Sequence, residues 1–226
     1  MMPAYNEEAT ILDAVQSALD AKLPIGEWEI VVVENGSQDR TRELLRSRQW
    51  PPNVKIIELD QNCGKGGALR VGVDAAQGRF MAVLDADMEY DPNDFANMLP
   101  HLLDGSMDAA LGTRHWQSHS AYSYWYVKGN GVINVMANML YNVYLSDAMV
   151  GMKMVSVEGF KALDLKENGF GFDAEFVAKL LRRKARVYEV PVTYHARRRA
   201  EGKKLTWKDG LVMVRVFVKN RFAPVP

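Results

Sequence analysis

The chain has 226 residues, of which 48% are hydrophobic and 25% are charged, and this is enough for one large domain or two closely packed ones. The formal net charge is zero, so no overall positive field favours nucleic acid as a partner. A single cysteine, Cys63, excludes a disulfide bond within these residues and fits a reducing compartment.

The N-terminal residues predict a turn followed by a helix. Asn6 is a candidate N-cap, because its side chain can accept a hydrogen bond from a free N–H group of the first turn. Apolar residues then recur at helical spacing, at Ile11, Leu12, Val15 and Leu19. Only Met1 and Met2 precede the turn, so the strand expected there is nearly absent, as it would be in a trimmed sequence.

Apolar runs of strand length then alternate with helical patterns. The runs cover residues 29–33, 54–59, 80–84 and 108–112. This alternation predicts an α/β fold with a mainly parallel sheet covered by helices on both faces. Because parallel strands end at a common edge, Glu34, Asp85 and Asp87 should contribute to one site.

The sequence LDADME, residues 84–89, carries the clearest chemical signal. Two carboxylates one residue apart at the tip of a buried strand can direct oxygen ligands towards a hard cation such as Mg²⁺ or Mn²⁺. A pattern this short also occurs in solvated loops, so Asp85 and Asp87 need support from the rest of the chain. The four histidines show no spacing typical of metal ligands.

The glycine-rich segment 62–72, NCGKGGALRVG, lacks the Walker A pattern and is not a P-loop. Its glycines favour a tight turn and close packing of the helix that follows. Lys65 could also reach a phosphate, and the sequence alone leaves both interpretations open.

The pattern changes after Thr113. Residues 114–126 are polar and aromatic without a period, which predicts a long functional loop. Helices are predicted at 127–145 and 174–184, a strand within 147–156, and an extended segment at 187–194. Asparagines interrupt the apolar segment 132–145, which is too short to span a bilayer, so we expect a soluble or peripheral protein.

The C-terminal region is rich in positive charge. Between residues 182 and 208 there are ten lysines and arginines but only two glutamates, which predicts a local cationic surface. In the tail, Leu211, Val214, Phe217 and Val218 would share one helical face, with lysines and arginines available to anionic headgroups. A packed terminal helix or a strand is an equally good interpretation of the tail.

Eight segments, in this order, resemble family 2 glycosyltransferases: PAYNEE, ENGSQD, NCGKGGALRVG, LDADME, GTR, DAMVGMK, GFGFDAE and EVPVTYHARRRAEGKK. The likeness covers nearly the whole chain and is greatest to dolichyl- and polyprenyl-phosphate mannosyl- or glucosyltransferases. It implies a GT-A fold with a Rossmann-like sheet. Residues 1–112 would bind a nucleotide sugar, 113–206 would bind the acceptor, and 207–226 would form an amphipathic basic tail.

The resemblance also implies an activity and a place. The activity is a metal-dependent, inverting transfer of a hexose from GDP-mannose or a UDP-sugar to a polyprenyl or dolichyl phosphate. The place is the cytoplasmic face of a membrane, with the protein bound peripherally. The cofactor would be Mg²⁺ or Mn²⁺.

The matched motifs assign roles to individual residues. Donor-binding residues would be Pro3, Tyr5, Glu7, Glu34, Asp85 and Asp87, with Lys65 as a further contact to phosphate. Metal ligands would be Asp85, Asp87 and Glu89. The acceptor phosphate would be bound by Arg114, Lys128, Arg197 and Lys204. The residues expected to be catalytic are Asp87, Asp173, Arg114 and Arg197.

Four positions depart from the family pattern. Glu34 and Asn35 stand where the family often has aspartates, so the base of the nucleotide stays open between guanine and uracil. Lys128 stands where an arginine is expected, and Glu89 stands where close relatives often have glutamine.

Two other functions are compatible with the sequence. A hydroxyl acceptor would need a general base, for which Asp173 is the candidate. A phosphate acceptor is already largely anionic at neutral pH and needs cations to hold it instead. The other alternative is a non-catalytic module that binds a sugar nucleotide, although the set of acidic and basic residues argues against it.

Overall fold

The computed structural model describes residues 1–115, 124–197 and 207–223. The described strands are β1 (Met2–Ala4), β2 (Ile30–Asn35), β3 (Val54–Leu59), β4 (Phe80–Val83), β5 (Ala109–Thr113), β6 (Lys153–Ser156) and β7 (Val187–Pro191). The described helices are α1 (Ile11–Asp20), α2 (Thr41–Arg46), α3 (Gly64–Ala75), α4 (Phe95–Leu103), α5 (Tyr124–Tyr141), α6 (Val157–Ala162), α7 (Gly171–Arg182) and α8 (Trp207–Phe222).

The strands form two adjoining sheets, with the orders β1-β2-β3 and β4-β6-β5-β7. They meet between β1 and β4, where the Met1 nitrogen donates to the Ala82 carbonyl at 2.7 Å and the Leu84 N–H donates to the Met1 carbonyl at 3.0 Å. Pairing is parallel between β1, β2 and β3 and between β5 and β7, whereas β6 runs antiparallel to both of its neighbours. The predicted α/β fold with a mainly parallel sheet is confirmed.

The central strand β2 explains why continuous apolar runs predicted strands correctly. Ile30 and Val32 pack into the larger core cluster, while Val31 and Val33 pack against Ala68 of α3 in a second cluster. Both faces of the strand are therefore buried, and neither face needs polar residues. The strand can then present its carboxyl end, Glu34 and Asn35, to the edge of the sheet.

Helix α7 lies in the interior and carries Asp173 in its first turn. The rings of Phe172 and Phe176 lie 6.0 Å apart and pack against Phe160 of α6. Because most of α7 is buried, its N-terminal end is held firmly, which fixes the position of Asp173.

Several boundaries differ from the sequence-based prediction. Asn6 has a φ of 52° and lies in a turn, so it is not an N-cap, and α1 begins only at Ile11. Strand β7 ends at Pro191, and Tyr194 forms only an isolated bridge with Tyr90. Most of the predicted loop 114–126 lies outside the described residues.

Helix α5 ends at Tyr141, four residues before the predicted end. The physical reason is the asparagines: the Asn134 and Asn138 side chains both donate to the Leu145 carbonyl, at 2.7 and 2.8 Å. The Asn138 side-chain oxygen Oδ1 also accepts from the Leu145 N–H at 2.9 Å. These bonds hold a turn after the helix in place of a further helical turn. No helix among the described residues is long and apolar enough to cross a bilayer.

Helix α8 is a packed helix with two faces, so the interpretation of the tail as a strand is wrong. Met213, Val216 and Phe217 are buried, and the Tyr141 hydroxyl of α5 donates to the Phe217 carbonyl at 2.8 Å. Leu211 and Val218 point outward instead. The predicted apolar face is therefore wrong in placing Phe217 with these two residues.

Candidate active site

A cavity of about 500 Å³ opens at the edge of the sheet where β1, β2 and β4 end. In open α/β sheets this is the edge at which ligands bind. The turn after β1, the segment after β4 and the N-terminal end of α7 all contribute to its wall. The predicted site residues that line it are Pro3, Tyr5, Glu7, Lys65, Asp85, Asp87, Glu89, Arg114, Asp173 and Arg197.

Glu34, predicted to contact the nucleobase, does not line the cavity. Its side chain is fully buried and accepts from the Ser37 N–H at 2.6 Å and from the Arg42 guanidinium at 2.6 Å. The next residue, Asn35, lines the cavity. Its side-chain oxygen accepts from the Cys63 N–H at 2.9 Å, which holds the loop between β3 and α3. Neighbouring residues of a strand point to opposite sides, and here the second residue faces the cavity.

The structure describes one of the two lysines predicted to bind the acceptor phosphate. Lys128 is exposed on α5, with its ammonium 5.3 Å from the centroid of the Tyr124 ring, and it does not line the cavity. Lys204 lies outside the described residues.

A row of four alternating charges runs from the interior to the cavity. The Lys153 ammonium donates to Asp173 Oδ1 at 2.6 Å, and Asp173 Oδ2 lies 3.7 Å from the Lys65 ammonium. Lys65 in turn donates to Asp85 Oδ2 at 2.8 Å. We call Lys153, Asp173, Lys65 and Asp85 the charge row. In it the predicted phosphate ligand, Lys65, stands between two carboxylates.

Asp173 is held as a carboxylate by this row. Burial alone raises the pKa of Asp173, but the ammonium groups of Lys153 and Lys65 outweigh burial, and the net direction of its pKa is downward. A carboxylate with a lowered pKa is a weak proton acceptor. Asp173 is therefore poorly suited to take a proton from a hydroxyl group.

Arg197 joins the N-terminal turn to the acidic segment after β4. Its guanidinium donates to Glu7 Oε2 and to Asp87 Oδ2, both at 3.1 Å. Within the described part of the chain, its buried Nε has no hydrogen-bond partner. This Nε lies 3.8 Å from Glu89 Oε1, so the guanidinium is paired with three carboxylates.

Glu89, predicted as a metal ligand, is occupied by other contacts. Its carboxylate accepts from the Tyr194 hydroxyl at 2.9 Å and from the backbone N–H of Arg197 at 3.0 Å. Its backbone carbonyl accepts from the His195 N–H at 2.8 Å. These bonds fix residues 194–197 against the segment after β4. Both carboxylate oxygens of Glu89 are therefore already engaged in hydrogen bonds.

Sequence reasoning missed the residues that hold Arg114. Asp147 binds the Arg114 guanidinium with both carboxylate oxygens, at 2.7 and 2.8 Å, and both side chains are largely buried. Glu189 accepts from the Ser146 and Asp147 N–H groups at 2.8 to 3.0 Å, which orients the turn. Asp147 was visible as the first residue of DAMVGMK, whereas nothing in the sequence marked Glu189.

The side chains of Asp85 and Asp87 are suitable ligands for a divalent cation. Both line the cavity and offer hard oxygen donors. Burial, together with the charges of Asp85 and Glu89, raises the pKa of Asp87 to about 7 against the opposing effect of Arg197. Crowded carboxylates of this kind are stabilised by a cation. Within the described ranges no three His, Cys, Asp or Glu side chains converge on one point, so a bound cation would need oxygen ligands from water or substrate as well.

Gly64 shows why the glycine-rich loop is shaped as it is. Its φ is 75°, and an added Cβ would lie only 2.3 Å from the Asn168 carbonyl oxygen. The glycine therefore permits both a left-handed turn and close contact with the segment before α7. This packing brings Lys65, the next residue, beside Asp173.

The fold and the cavity define a class of protein: an α/β protein with acidic and basic side chains gathered at one edge of its sheet. The sequence profile of glycosyl transferase family 2 matches residues 1–164, and the chain belongs to this family. The predicted family is confirmed.

Among curated relatives, dodecaprenyl-phosphate galacturonate synthase of Rhizobium johnstonii is 27% identical over 203 residues, 87% of this chain and 58% of that protein. Dolichol-phosphate mannosyltransferase of Pyrococcus furiosus is 28% identical over 207 residues, 90% of this chain and 58% of that protein. The chain thus spans less than two thirds of the length of these relatives.

A solved structure shares the fold. Glucosyl-3-phosphoglycerate synthase from Mycobacterium tuberculosis, in complex with Mn²⁺, uridine-diphosphate-glucose and phosphoglyceric acid, superposes with a TM-score of 0.73 at 17% identity. The match covers 99% of this chain and 79% of that one. The predicted GT-A fold is confirmed.

Proposed function

We propose that this protein transfers a hexose from a nucleotide sugar to the phosphate of a polyprenyl or dolichyl lipid. The observation that carries the choice of acceptor is the state of Asp173, which two lysines hold as a weak base. A hydroxyl acceptor needs a base, whereas a phosphate monoester has a second pKa of about 6 and is already largely anionic at neutral pH.

Arginines at the cavity suit a phosphate acceptor. Arg114 and Arg197 both line the cavity, and the planar guanidinium matches the geometry of phosphate oxygens. Acidic partners fix both side chains in place before any ligand binds: Asp147 holds Arg114, and Glu7 with Asp87 holds Arg197. Fixed cations lose little conformational entropy when they bind an anion.

The donor would lie against Asp85, Asp87 and Lys65. These residues, together with Pro3 and Tyr5 of the N-terminal turn, line the side of the cavity formed by the ends of β1 and β4 and the start of α3. Asp85 and Asp87 would hold Mg²⁺ or Mn²⁺, which supplies positive charge to the leaving diphosphate when bound. The Mn²⁺ and sugar nucleotide named for the mycobacterial structure support this assignment.

The two named relatives support the lipid acceptor, because one is a dodecaprenyl-phosphate galacturonate synthase and the other a dolichol-phosphate mannosyltransferase. As predicted from the sequence, residues 1–112 would bind the donor, residues 113–206 would bind the acceptor, and residues 207–226 would contact the membrane. The place of action would be the cytoplasmic face of a membrane.

A donor and acceptor panel tests the proposal. GDP-mannose, UDP-glucose and related donors are each incubated with a short polyprenyl phosphate or with the matching polyprenol, and glycolipid product is measured. We expect product from the phosphate and none from the alcohol. Equal transfer to the alcohol would contradict the lipid-phosphate acceptor, and absence of turnover with every donor would favour a binding module.

A mixed apolar and basic surface, formed by α5 and α8, would meet the membrane. On α8 the side chains of Leu211, Val218 and Phe222 are 60%, 40% and 75% exposed. On α5, Val132 and Met139 are 70% and 73% exposed. Exposed basic residues border the apolar ones on α8: Arg215, Lys219 and Arg221. Such a surface is typical of helices that lie in the headgroup region.

The double substitution Leu211→Asp and Phe222→Asp should weaken binding to anionic vesicles. Burying such side chains contributes about 1.5–3 kcal/mol each, so even partial insertion predicts at least a tenfold loss of affinity. Co-sedimentation with phosphatidylglycerol vesicles measures it. Leu103→Asp on α4, where Leu103 is 44% exposed, is the matched control. Equal losses in the double variant and the control would show that this surface is not the membrane contact.

A further inference from the structure

A buried lysine lies directly behind the cavity without lining it. Lys153, the first residue of β6, is completely inaccessible to solvent, and its ammonium donates to Asp173 Oδ1 and to the Val150 carbonyl. The ammonium also lies 5.9 Å from the centroid of the Phe176 ring. A buried ammonium is costly unless a carboxylate compensates it, and among the described residues Asp173 is the carboxylate within 4 Å that does so.

Asp173 links this hidden charge to the cavity. Its two carboxylate oxygens face different lysines, Oδ1 towards Lys153 and Oδ2 towards Lys65. Asp173 and Lys65 line the cavity, whereas Lys153 does not. Lys153 thus makes its direct contact with the wall of the cavity through Asp173.

We propose that Lys153 is a positioning residue: by neutralising Asp173 from behind, it leaves Lys65 beside Asp85, where its ammonium is available to the diphosphate of the donor. This inference rests on the proposed function, since it assumes that the cavity binds a nucleoside diphosphate.

Charge counting gives the reason. The charge row contains two ammonium groups and two carboxylates, so its formal charges cancel. Without the Lys153 ammonium, Asp173 has only Lys65 as a cation, and the row carries one net negative charge towards an anionic ligand. Opposite charges within a few ångströms attract strongly at a site of low dielectric constant, so Lys65 would move away from Asp85 towards Asp173.

The same charge count predicts that a second substitution restores nucleotide binding. Lys153→Met removes a positive charge and should weaken binding of a nucleoside diphosphate. Lys153→Met combined with Asp173→Asn removes one charge of each sign and leaves the pair of Lys65 and Asp85 intact. A residue that only filled space would not be rescued by removing its partner's charge.

Calorimetry with UDP and with GDP, in EDTA and again in Mn²⁺, tests the inference well below the melting temperature of each variant. We expect Lys153→Met to bind the preferred nucleotide on the order of tenfold more weakly, in line with coupling between contacting residues. The double variant should bind within about threefold of the unmodified protein, as expected for a restored pair. Lys161→Met is the matched control, because Lys161 is a half-exposed lysine paired with Asp74 on the surface.

Unchanged binding by Lys153→Met would overturn the inference, as would a folded double variant that binds more than tenfold more weakly than the unmodified protein. The second comparison holds even if Lys153→Met alone does not fold, because the double variant buries no unpaired charge. If the unmodified protein binds neither nucleotide in either condition, the proposed function itself fails. That result is distinct from failure of Lys153 as a positioning residue.

Discussion

Replacing Asp87 by asparagine is expected to remove nearly all transfer activity and to leave the fold intact. The Asp87 side chain is only 16% exposed, lines the cavity and accepts from the Arg197 guanidinium. Asparagine keeps the shape of the side chain but removes the negative charge that a divalent cation requires. Loss of one preorganised electrostatic group at a reaction centre costs about a hundredfold to a thousandfold in rate, and we expect a loss of at least that size.

Two measurements check this expectation. The first is turnover of the variant with the best donor and a polyprenyl phosphate. The second is calorimetry of the nucleoside diphosphate with and without Mn²⁺, where the unmodified protein should bind more tightly with the metal and Asp87→Asn should lose this difference. Asp91→Asn is the matched control, since Asp91 lies four residues further along and its side chain accepts from the Asn93 N–H at 2.9 Å. A metal-independent affinity in the unmodified protein, with an active Asp87→Asn variant, would contradict the metal site.

The sheet and most of the cavity could be predicted from the sequence because they depend on local patterns. Strands buried on both faces, such as β2, need continuous apolar runs, and the carboxyl ends of parallel strands meet at one edge. The position of Asp85 and Asp87 follows from these two facts. Neither fact requires knowledge of distant contacts.

The error at Glu34 has a different origin. A strand that is apolar on both faces gives no sign of which face each terminal residue takes, so Glu34 and Asn35 could not be distinguished. The structure pairs Glu34 with Arg42 of the following helix and leaves Asn35 at the cavity. A shift of one residue in such a strand exchanges the buried and ligand-facing positions.

Contacts between distant segments were beyond prediction for a second reason. Glu189 binds the backbone of Ser146 and Asp147, which precede it by more than 40 residues, and no local pattern encodes this pairing. Lys153 likewise follows a turn in a short strand, where a lysine would ordinarily be assigned to the surface. Only the fold shows that its ammonium is buried behind Asp173.

The acceptor is tested by comparing the activities of variants at Arg197 and at Asp173. With a phosphate acceptor, Arg197→Ala should lose far more than a surface charge would contribute. The substitution also leaves Glu7 and Asp87 without their shared cation. Removing one member of a desolvated charge pair costs roughly 2–5 kcal/mol, or on the order of a thousandfold in rate near the middle of that range. Arg186→Ala, which removes an exposed arginine paired with Asp108, is the control and should have little effect.

With the same acceptor, replacing Asp173 should leave substantial activity, because no proton has to be removed from a phosphate that is already anionic. Asp173→Asn alone would leave the buried Lys153 ammonium without its carboxylate, so the variant is measured together with Lys153→Met/Asp173→Asn, which has no unpaired buried charge. A hydroxyl acceptor reverses the pattern: both Asp173 variants should then be nearly inactive, and Arg197→Ala only impaired.

Turnover of these variants on polyprenyl phosphate and on the matching polyprenol separates the two acceptors. The decisive variant is the double one, because it keeps the charges around Lys65 and Asp85 balanced while it removes Asp173, the base predicted for the hydroxyl reaction. An inactive double variant that still binds the nucleoside diphosphate, beside an active Arg197→Ala, would refute the lipid-phosphate acceptor. An active double variant beside an inactive Arg197→Ala requires an acceptor that brings its own negative charge, and among the lipid acceptors considered for this cavity only the phosphate does so.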